Sequence, residues 1–167
     1  MADLIFAATE WASNSALIAD CARLGYLKGR VLDPTYGKGN WWKLWQPEMF
    51  VHHDLAMEGI DFRALPYAAS EFDSVAFDPP YVSPGGRETS TIKDMHAAYG
   101  MTDTPRTPWL LWEYNRAGMD ECVRVLRRGG HLCFKSQDYI TSGKFQPVTH
   151  WIIEHAKTLP LEYVDRM

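Results

Sequence analysis

Phe77-Asp78-Pro79-Pro80-Tyr81 follows the apolar run Val75-Ala76-Phe77, which predicts a buried strand that ends there and opens into a loop. An ionised Asp78 side chain only accepts hydrogen bonds, and Pro79, held extended by the proline after it, presents a fixed carbonyl. Tyr81 adds a flat aromatic face. Two fixed acceptors and a stacking ring are suited to hold a planar ring that carries an exocyclic amino group. The alternative interpretation is a proline-rich turn after a strand.

A second loop of unusual composition, Asp33-Pro34-Thr35-Tyr36-Gly37-Lys38-Gly39, follows the predicted strand at 31–33. Gly37 and Gly39 allow the backbone to turn tightly and to approach a ligand closely, and the acid would pair with a positive group of that ligand. A phosphate-binding P-loop needs four residues between its glycines and Ser or Thr after the lysine. A dinucleotide-binding loop needs a third glycine where Trp42 stands. Neither of these loops fits.

The rest of the chain alternates between predicted helices and strands. We expect helices at 13–24, 40–45, 108–126 and 148–157, and strands at 31–33, 49–54, 61–63, 74–78, 131–135 and 161–164. This alternation indicates an α/β fold, with a mostly parallel central sheet and helices on both of its faces. Ligands of such sheets bind beyond the carboxyl ends of the strands, so we expect the two loops to share one site.

Further candidate positions lie near the ends of two predicted strands. Asp54 closes the strand at 49–54, where an acid would hold the ribose hydroxyls of a nucleotide-like ligand, or it is an ordinary solvated loop acid. Asp61 would accept from the amino group of an adenine and Phe62 would flank its ring, unless Phe62 has a structural place in the core. The adjacent histidines at 52–53 lack a second cluster that would complete a metal site, so we expect no metal.

Length and composition indicate one soluble domain, residues 1–167, without a signal peptide or membrane span. The three cysteines are scattered and are typical of reduced thiols in a cytoplasmic protein. A formal net charge of −4 argues against a strong, sequence-independent grip on nucleic acid, where clustered Lys and Arg neutralise phosphates. A nucleic acid that binds weakly, or with the help of a partner protein or a second copy of the chain, remains compatible with this charge.

Together these segments resemble a known family. The residue runs 33–42 and 77–86, with Phe134-Lys135-Ser136-Gln137-Asp138, resemble the S-adenosylmethionine-dependent amino-methyltransferases, in particular the small stand-alone DNA methylases of phages and actinobacteria. The resemblance spans about residues 11–164, and Asp-Pro-Pro-Tyr is its most specific part. It implies a Rossmann-like class I methyltransferase fold. The C-terminal strands of that fold are expected to be missing, because the chain ends inside the sixth predicted strand.

The resemblance also implies roles for particular residues. The cofactor S-adenosylmethionine would be held by the first loop and the three later positions, namely Asp33, Pro34, Thr35, Gly37, Gly39, Asp54, Asp61 and Phe62. The target base would be held by Asp78, Pro79, Pro80 and Tyr81. Without a separate target-recognition domain, the loop at 82–107 would read the substrate. The implied reaction is methylation of adenine N6 in DNA, with the guanine-N2 position of tRNA as the second candidate. There are two alternatives. One is a cofactor-binding module that is inactive without a partner, and the other is a nucleotide-binding domain without methyl transfer.

Overall fold

The computed structural model describes residues 11–81, 105 and 107–167. The helices are α1 (Asn14–Arg23), a 3₁₀ helix (Asn40–Trp42), α2 (Leu55–Glu58), α3 (Pro108–Val125) and α4 (Val148–Ala156). The strands are β1 (Arg30–Asp33), β2 (Met49–His52), β3 (Phe72–Phe77), β4 (Leu126–Phe134), β5 (Tyr139–Thr141) and β6 (Lys144–Gln146). No described helix is long and apolar enough to cross a membrane. The predicted substrate loop, 82–107, lies outside the described residues except for Pro105 and Thr107.

A hydroxyl side chain caps each of the two longest helices. The Ser13 hydroxyl accepts from the amide of Ala16 at 3.2 Å, and the Thr107 hydroxyl accepts from the amide of Leu110 at 3.2 Å. Each bond satisfies one of the amide donors that a helix N-terminus leaves without an intrahelical partner. Pro108 occupies the first turn of α3, where its missing N–H costs nothing.

Four parallel strands form the central sheet in the order β2-β1-β3-β4. From β1 the chain moves outward to β2, then crosses back past β1 to β3 and on to β4. The strand order therefore reverses between β1 and β3, and this is the switch point at which such sheets bind ligands. The α/β class and the parallel sheet that the sequence predicted are confirmed.

The hydrophobic core lies in two layers, one on each face of the sheet, because neighbouring residues of a strand point to opposite sides. On one face, Leu32 packs with Val75 and Phe77 and with residues of α3. On the other face, Val31 and Ala76 pack with α1 and with the tryptophans of the 3₁₀ helix. Helices therefore cover both faces of the sheet.

Two predicted strands are wrong. Residues 61–63 form a turn, because the Asp61 carboxylate accepts from the amide of Arg63 at 2.8 Å and its carbonyl accepts from Ala64 at 2.9 Å. A side chain that bonds to the backbone two residues on competes with strand pairing in this way. Residues 161–164 pair with no strand of the described chain, and the side chains of Tyr163 and Val164 are exposed.

Other elements differ from the prediction in extent. The predicted helix at 40–45 is a single 3₁₀ turn, and the second strand stops at His52, two residues before Asp54. Strand β4 begins directly at Leu126, where the sequence predicted the end of a helix, and its pairing with β3 shifts register around the glycines at 129–130. The antiparallel hairpin of β5 and β6 was not predicted. Ser142 and Gly143, both with positive φ, form its two-residue turn.

Candidate active site

Three strands of the sheet bring a polar side chain to the same edge. β1 ends at Asp33, β3 is followed by Asp78, and β4 is followed by Lys135. Because these strands are parallel and adjacent, their carboxyl ends meet. The Lys135 amide donates to the Phe77 carbonyl at 2.9 Å, so the pairing of β3 with β4 continues to the point where the two chains leave the sheet.

Asp33 is buried and accepts three hydrogen bonds. Its Oδ1 accepts from the amide of Thr35 at 2.8 Å and from the Thr35 hydroxyl at 3.1 Å, and its Oδ2 accepts from the indole N–H of Trp42 at 2.6 Å. All three donors are neutral. Burial, which disfavours the charged form, outweighs them and raises the pKa of Asp33 to about 7.

The Thr35 hydroxyl connects the two predicted loops. It donates to Asp33 Oδ1 and accepts from the backbone N–H of Asp78 at 2.9 Å. The start of the Asp-Pro-Pro-Tyr segment is therefore fixed relative to the loop that follows β1. The sequence placed both segments at one edge of the sheet, and the structure joins them through this side chain.

Asp78 faces the ammonium group of Lys135. The Lys135 nitrogen lies 3.3 Å from each carboxylate oxygen. Burial raises the pKa of Asp78 above its ordinary value, while the Lys135 charge opposes that shift. Trp41 Nε1 also favours the ionised form, although among the described residues neither it nor Asp78 Oδ1 has a hydrogen-bond partner. The site thus contains a buried acceptor atom that accepts no hydrogen bond from these residues, although the Lys135 ammonium lies 3.3 Å from it.

The rest of the tetrapeptide is held rigidly. Pro79 is fully buried, and the Pro80 carbonyl accepts from the side-chain amide of Asn115, a buried residue of α3, at 2.6 Å. Tyr81 is half-buried, and the Lys135 ammonium lies 5.2 Å from the centre of its ring. The conformation of the segment is therefore determined by proline geometry and by one buried hydrogen bond from the long helix.

The glycine loop after β1 adopts a conformation that needs its glycines. Gly37 and Gly39 have φ of 54° and 68°, in the left-handed region. A Cβ at Gly39 would lie 2.7 Å from Cζ of Tyr36, so a side chain there would displace that ring. A Cβ at Gly37 would meet nothing nearer than 3.9 Å, an ordinary van der Waals contact, so the positive φ and not crowding favours glycine there. Pro34 is fully buried at the start of this loop.

Asp54 has a structural role in the same region. Its Oδ2 accepts from the amide of Gly37 at 3.0 Å, and its Oδ1 accepts from the amide of Ala56 at 2.8 Å and so caps α2. A carboxylate has about four lone-pair sites, so each oxygen keeps one acceptor position. The structure thus brings Asp54 to the glycine loop.

Asp61 and Phe62 have different surroundings. The Asp61 carboxylate pairs with the Arg63 guanidinium at 2.5 Å, and although burial acts in the opposite direction, these bonds lower the pKa of Asp61. The Phe62 ring is buried against Phe77 and Tyr114. It belongs to the core layer beneath α3, and no described contact links it with Asp33. The predicted adenine contact of this pair stays a prediction.

Sequence reasoning did not select several residues that complete the site, namely Trp41, Trp42, Asn115 and Lys135. Lys135 carried a usable signal, since it is a polar residue directly after an apolar strand, as Asp78 is. The tryptophans carried none, because a tryptophan in a loop is usually interpreted as core. Asn115 stands in a helix that the sequence shows as amphipathic, and only the packing of α3 reveals its contact with Pro80.

No group of three or more His, Cys, Asp or Glu side chains in the described part of the chain is arranged to hold a metal ion. In the described chain, the polar groups at this edge of the sheet are the carboxylates of Asp33 and Asp78, their neutral hydrogen-bond donors and the ammonium of Lys135. Comparison with protein-family models, with curated proteins and with solved structures finds no match to this chain.

Proposed function

We propose that this chain is an S-adenosylmethionine-dependent methyltransferase with a Rossmann-like class I fold, and that it methylates an exocyclic amino nitrogen of a nucleic-acid base, adenine N6 in DNA. The observation that carries the proposal is the Asp78 carboxylate. It lies beside two prolines and a tyrosine with its side chain 18% exposed, and its Oδ1, which lies 3.3 Å from the Lys135 ammonium, accepts no hydrogen bond among the described residues. An amino group on a planar base supplies such a donor.

The residues around the glycine loop fit the cofactor. Each oxygen of Asp54 accepts one hydrogen bond from the described residues, which leaves one acceptor position on each oxygen for a ribose diol. Asp33 adds a carboxylate, and once this carboxylate is ionised it would complement a cationic group of the ligand. S-adenosylmethionine supplies an electrophilic methyl group on a sulfonium ion. Asp33, Gly37, Gly39 and Asp54 would hold it.

Asp78 and Pro79 would orient the amino group. Each accepts one of its N–H bonds, so the nitrogen lone pair turns away from conjugation with the ring, and this positioning lowers the barrier. When bound, S-adenosylmethionine would supply the methyl group: the nitrogen would bond to the methyl carbon, and the sulfur would keep the electron pair of the broken carbon–sulfur bond. The nitrogen then loses a proton, which Asp78 accepts and passes to solvent. The raised pKa of Asp78 suits a proton acceptor of this kind.

The substrate would enter as an unstacked base. A base in a duplex is out of reach, so it has to be flipped out, and the half-buried Tyr81 offers a ring on which it stacks. The net charge of −4 gives little attraction to phosphates. We therefore expect weak binding of the nucleic acid, and help from a partner protein or a second copy of the chain is compatible with this charge.

The test compares the wild type with Asp78→Ala, and with Glu162→Ala as a control that removes an exposed carboxylate. Calorimetric titration measures cofactor binding, and nucleoside mass spectrometry measures methylated bases in DNA and total RNA of expressing cells. We expect Asp78→Ala to bind S-adenosylmethionine like the wild type and to form no N6-methyladenine, while Glu162→Ala forms it normally.

Other results would redirect the proposal. Methylated guanine found only in RNA would move the substrate to the tRNA guanine-N2 type. Substantial transfer by Asp78→Ala would overturn the role of the carboxylate. Cofactor binding by the wild type without any methylated base would favour a binding module that needs a partner.

A further inference from the structure

Lys135 is fixed at the site by the sheet itself. It follows β4 directly, and its backbone amide donates to the Phe77 carbonyl, one residue before Asp78. Register pairs Phe77 with Phe134, so Lys135 and Asp78 are the next pair along the two parallel strands. Their side chains meet because the backbone ladder places them side by side.

The ammonium of Lys135 has three neighbours in this position. It lies 3.3 Å from both oxygens of Asp78, 5.5 Å from the ring centre of Trp41 and 5.2 Å from the ring centre of Tyr81. The side chain of Lys135 is 24% exposed and that of Asp78 is 18% exposed. The two aromatic rings and the carboxylate all stabilise the ammonium of Lys135. Because both side chains of the ion pair are partly buried, salt screens their attraction less than it would at the surface.

We propose that Lys135 is a positioning residue, whose ammonium keeps the Asp78 carboxylate ionised and oriented so that Oδ1, which accepts no hydrogen bond among the described residues, accepts one from the amino group of the target base. This inference rests on the proposed function, which makes Asp78 the acceptor for that amino group. A protonated Asp78 would carry a hydrogen on one oxygen and would lose acceptor capacity, so the charge of Lys135 bears directly on the step that positions the base.

Few other charges act on Asp78 among the described residues. Asp33, at the end of β1, is a second acid. When both carboxyls are charged they repel each other, so the charge of each disfavours ionisation of the other. The 3₁₀ helix contributes the neutral indole of Trp41, and α3 contributes the neutral amide of Asn115 through Pro80. Lys135 is therefore the described cation that offsets the cost of burying this carboxylate.

The first measurement does not depend on methyl transfer. Protein labelled at the aspartate carboxyl carbons is titrated by NMR, and the Asp78 signal is assigned from Asp78→Asn. In Lys135→Gln, which keeps a donor but loses the charge, we expect the midpoint of the Asp78 titration to rise by about one to three pH units. Lys135→Arg keeps the charge and should hold the midpoint near that of the wild type. An unchanged midpoint in Lys135→Gln overturns the proposal.

The second measurement is the pH profile of methyl transfer. In Lys135→Gln we expect the acid limb to move upward with the NMR midpoint. At a pH below the midpoint, each pH unit of that shift lowers the rate about tenfold. The rate recovers as the pH is raised. Affinity for S-adenosylmethionine should stay constant, and Lys135→Arg should restore most of the rate. A purely structural role predicts a pH-independent loss, and that result overturns the proposal.

Failure of the two proposals can be told apart. If the midpoint shifts but the wild type methylates no nucleic acid, the proposed function fails, and with it the catalytic meaning of the Asp78–Lys135 pair. If the wild type methylates DNA and the midpoint does not move, only the role of Lys135 fails. Should Lys135→Gln not fold, Lys135→Met, which also removes the charge, takes its place in both measurements.

Discussion

The hydroxyl of Thr35 is the direct connection between the two loops of the site, and its removal is the sharpest test of the architecture. Thr35→Val keeps the shape of the side chain and deletes the oxygen. Asp33 then loses the donor at 3.1 Å, and the Asp78 amide loses its acceptor at 2.9 Å. The Thr35 amide still donates to Asp33, so one bond of the local turn survives.

The loss can be estimated from these two bonds. A hydrogen bond to a carboxylate contributes about 1.5–3 kcal/mol and a neutral one about 0.5–1.5 kcal/mol, and a buried N–H without a partner adds a desolvation cost. We expect Thr35→Val to lower the free energy of unfolding by about 2–4 kcal/mol, measured by urea denaturation with tryptophan fluorescence. Thr35→Ser keeps the hydroxyl and should lose less than about 1 kcal/mol. If the valine variant lay within about 0.5 kcal/mol of the wild type, the hydroxyl would not be the connection that we describe.

Two further predictions concern buried groups. The pKa of Asp33 rises from an ordinary 3.8 to about 7, so the folded state binds more protons than the unfolded state between these values. Stability should therefore fall by about 4 kcal/mol as the pH increases from about 4 to 7, and in Asp33→Asn this part of the pH dependence of urea denaturation should vanish. Gly118→Ala tests the core position of Phe62, because its Cβ would overlap that ring and come within 2.7 Å of Phe77. Overpacking should destabilise by about 1–3 kcal/mol, whereas a gain of about 1 kcal/mol, as helix propensity alone predicts, would show that Phe62 is not packed there.

The parts of the fold that the sequence predicted are those governed by local patterns. In β1 and β3 a short apolar run, at 31–32 and 75–77, is followed directly by an acid, and an apolar run that stops at a polar residue is a strong strand signal. Ser13 and Thr107 start their helices because a hydroxyl before an amphipathic segment satisfies free amides. The meeting of Asp33 and Asp78 at one edge then follows from parallel strand order alone.

The parts that were not predicted depend on contacts between distant residues or on competing local bonds. A strand at 61–63 and a turn with Asp61 bonded to Arg63 are equally compatible with the sequence, and the Arg63 bonds decide for the turn. The β5–β6 hairpin rests on a Ser-Gly turn between short, half-polar strands, which give little alternation to detect. Lys135 reaches Asp78 through register, which a single sequence does not reveal.

The carboxylates of Asp33 and Asp78 at the edge of the sheet differ in what compensates their charge. Burial raises the pKa of both, but Asp78 has an ammonium at 3.3 Å, whereas Asp33 has three neutral donors and forms no ion pair within the described chain. A charged Asp78 further raises the pKa of Asp33. Asp78 is thus the carboxylate with its own counter-ion, and Asp33 is the one that gains most from a cationic ligand. The protein thus compensates the charge of one acid and leaves the other to a ligand. This is the charge pattern that the proposed cationic methyl donor and neutral base would require.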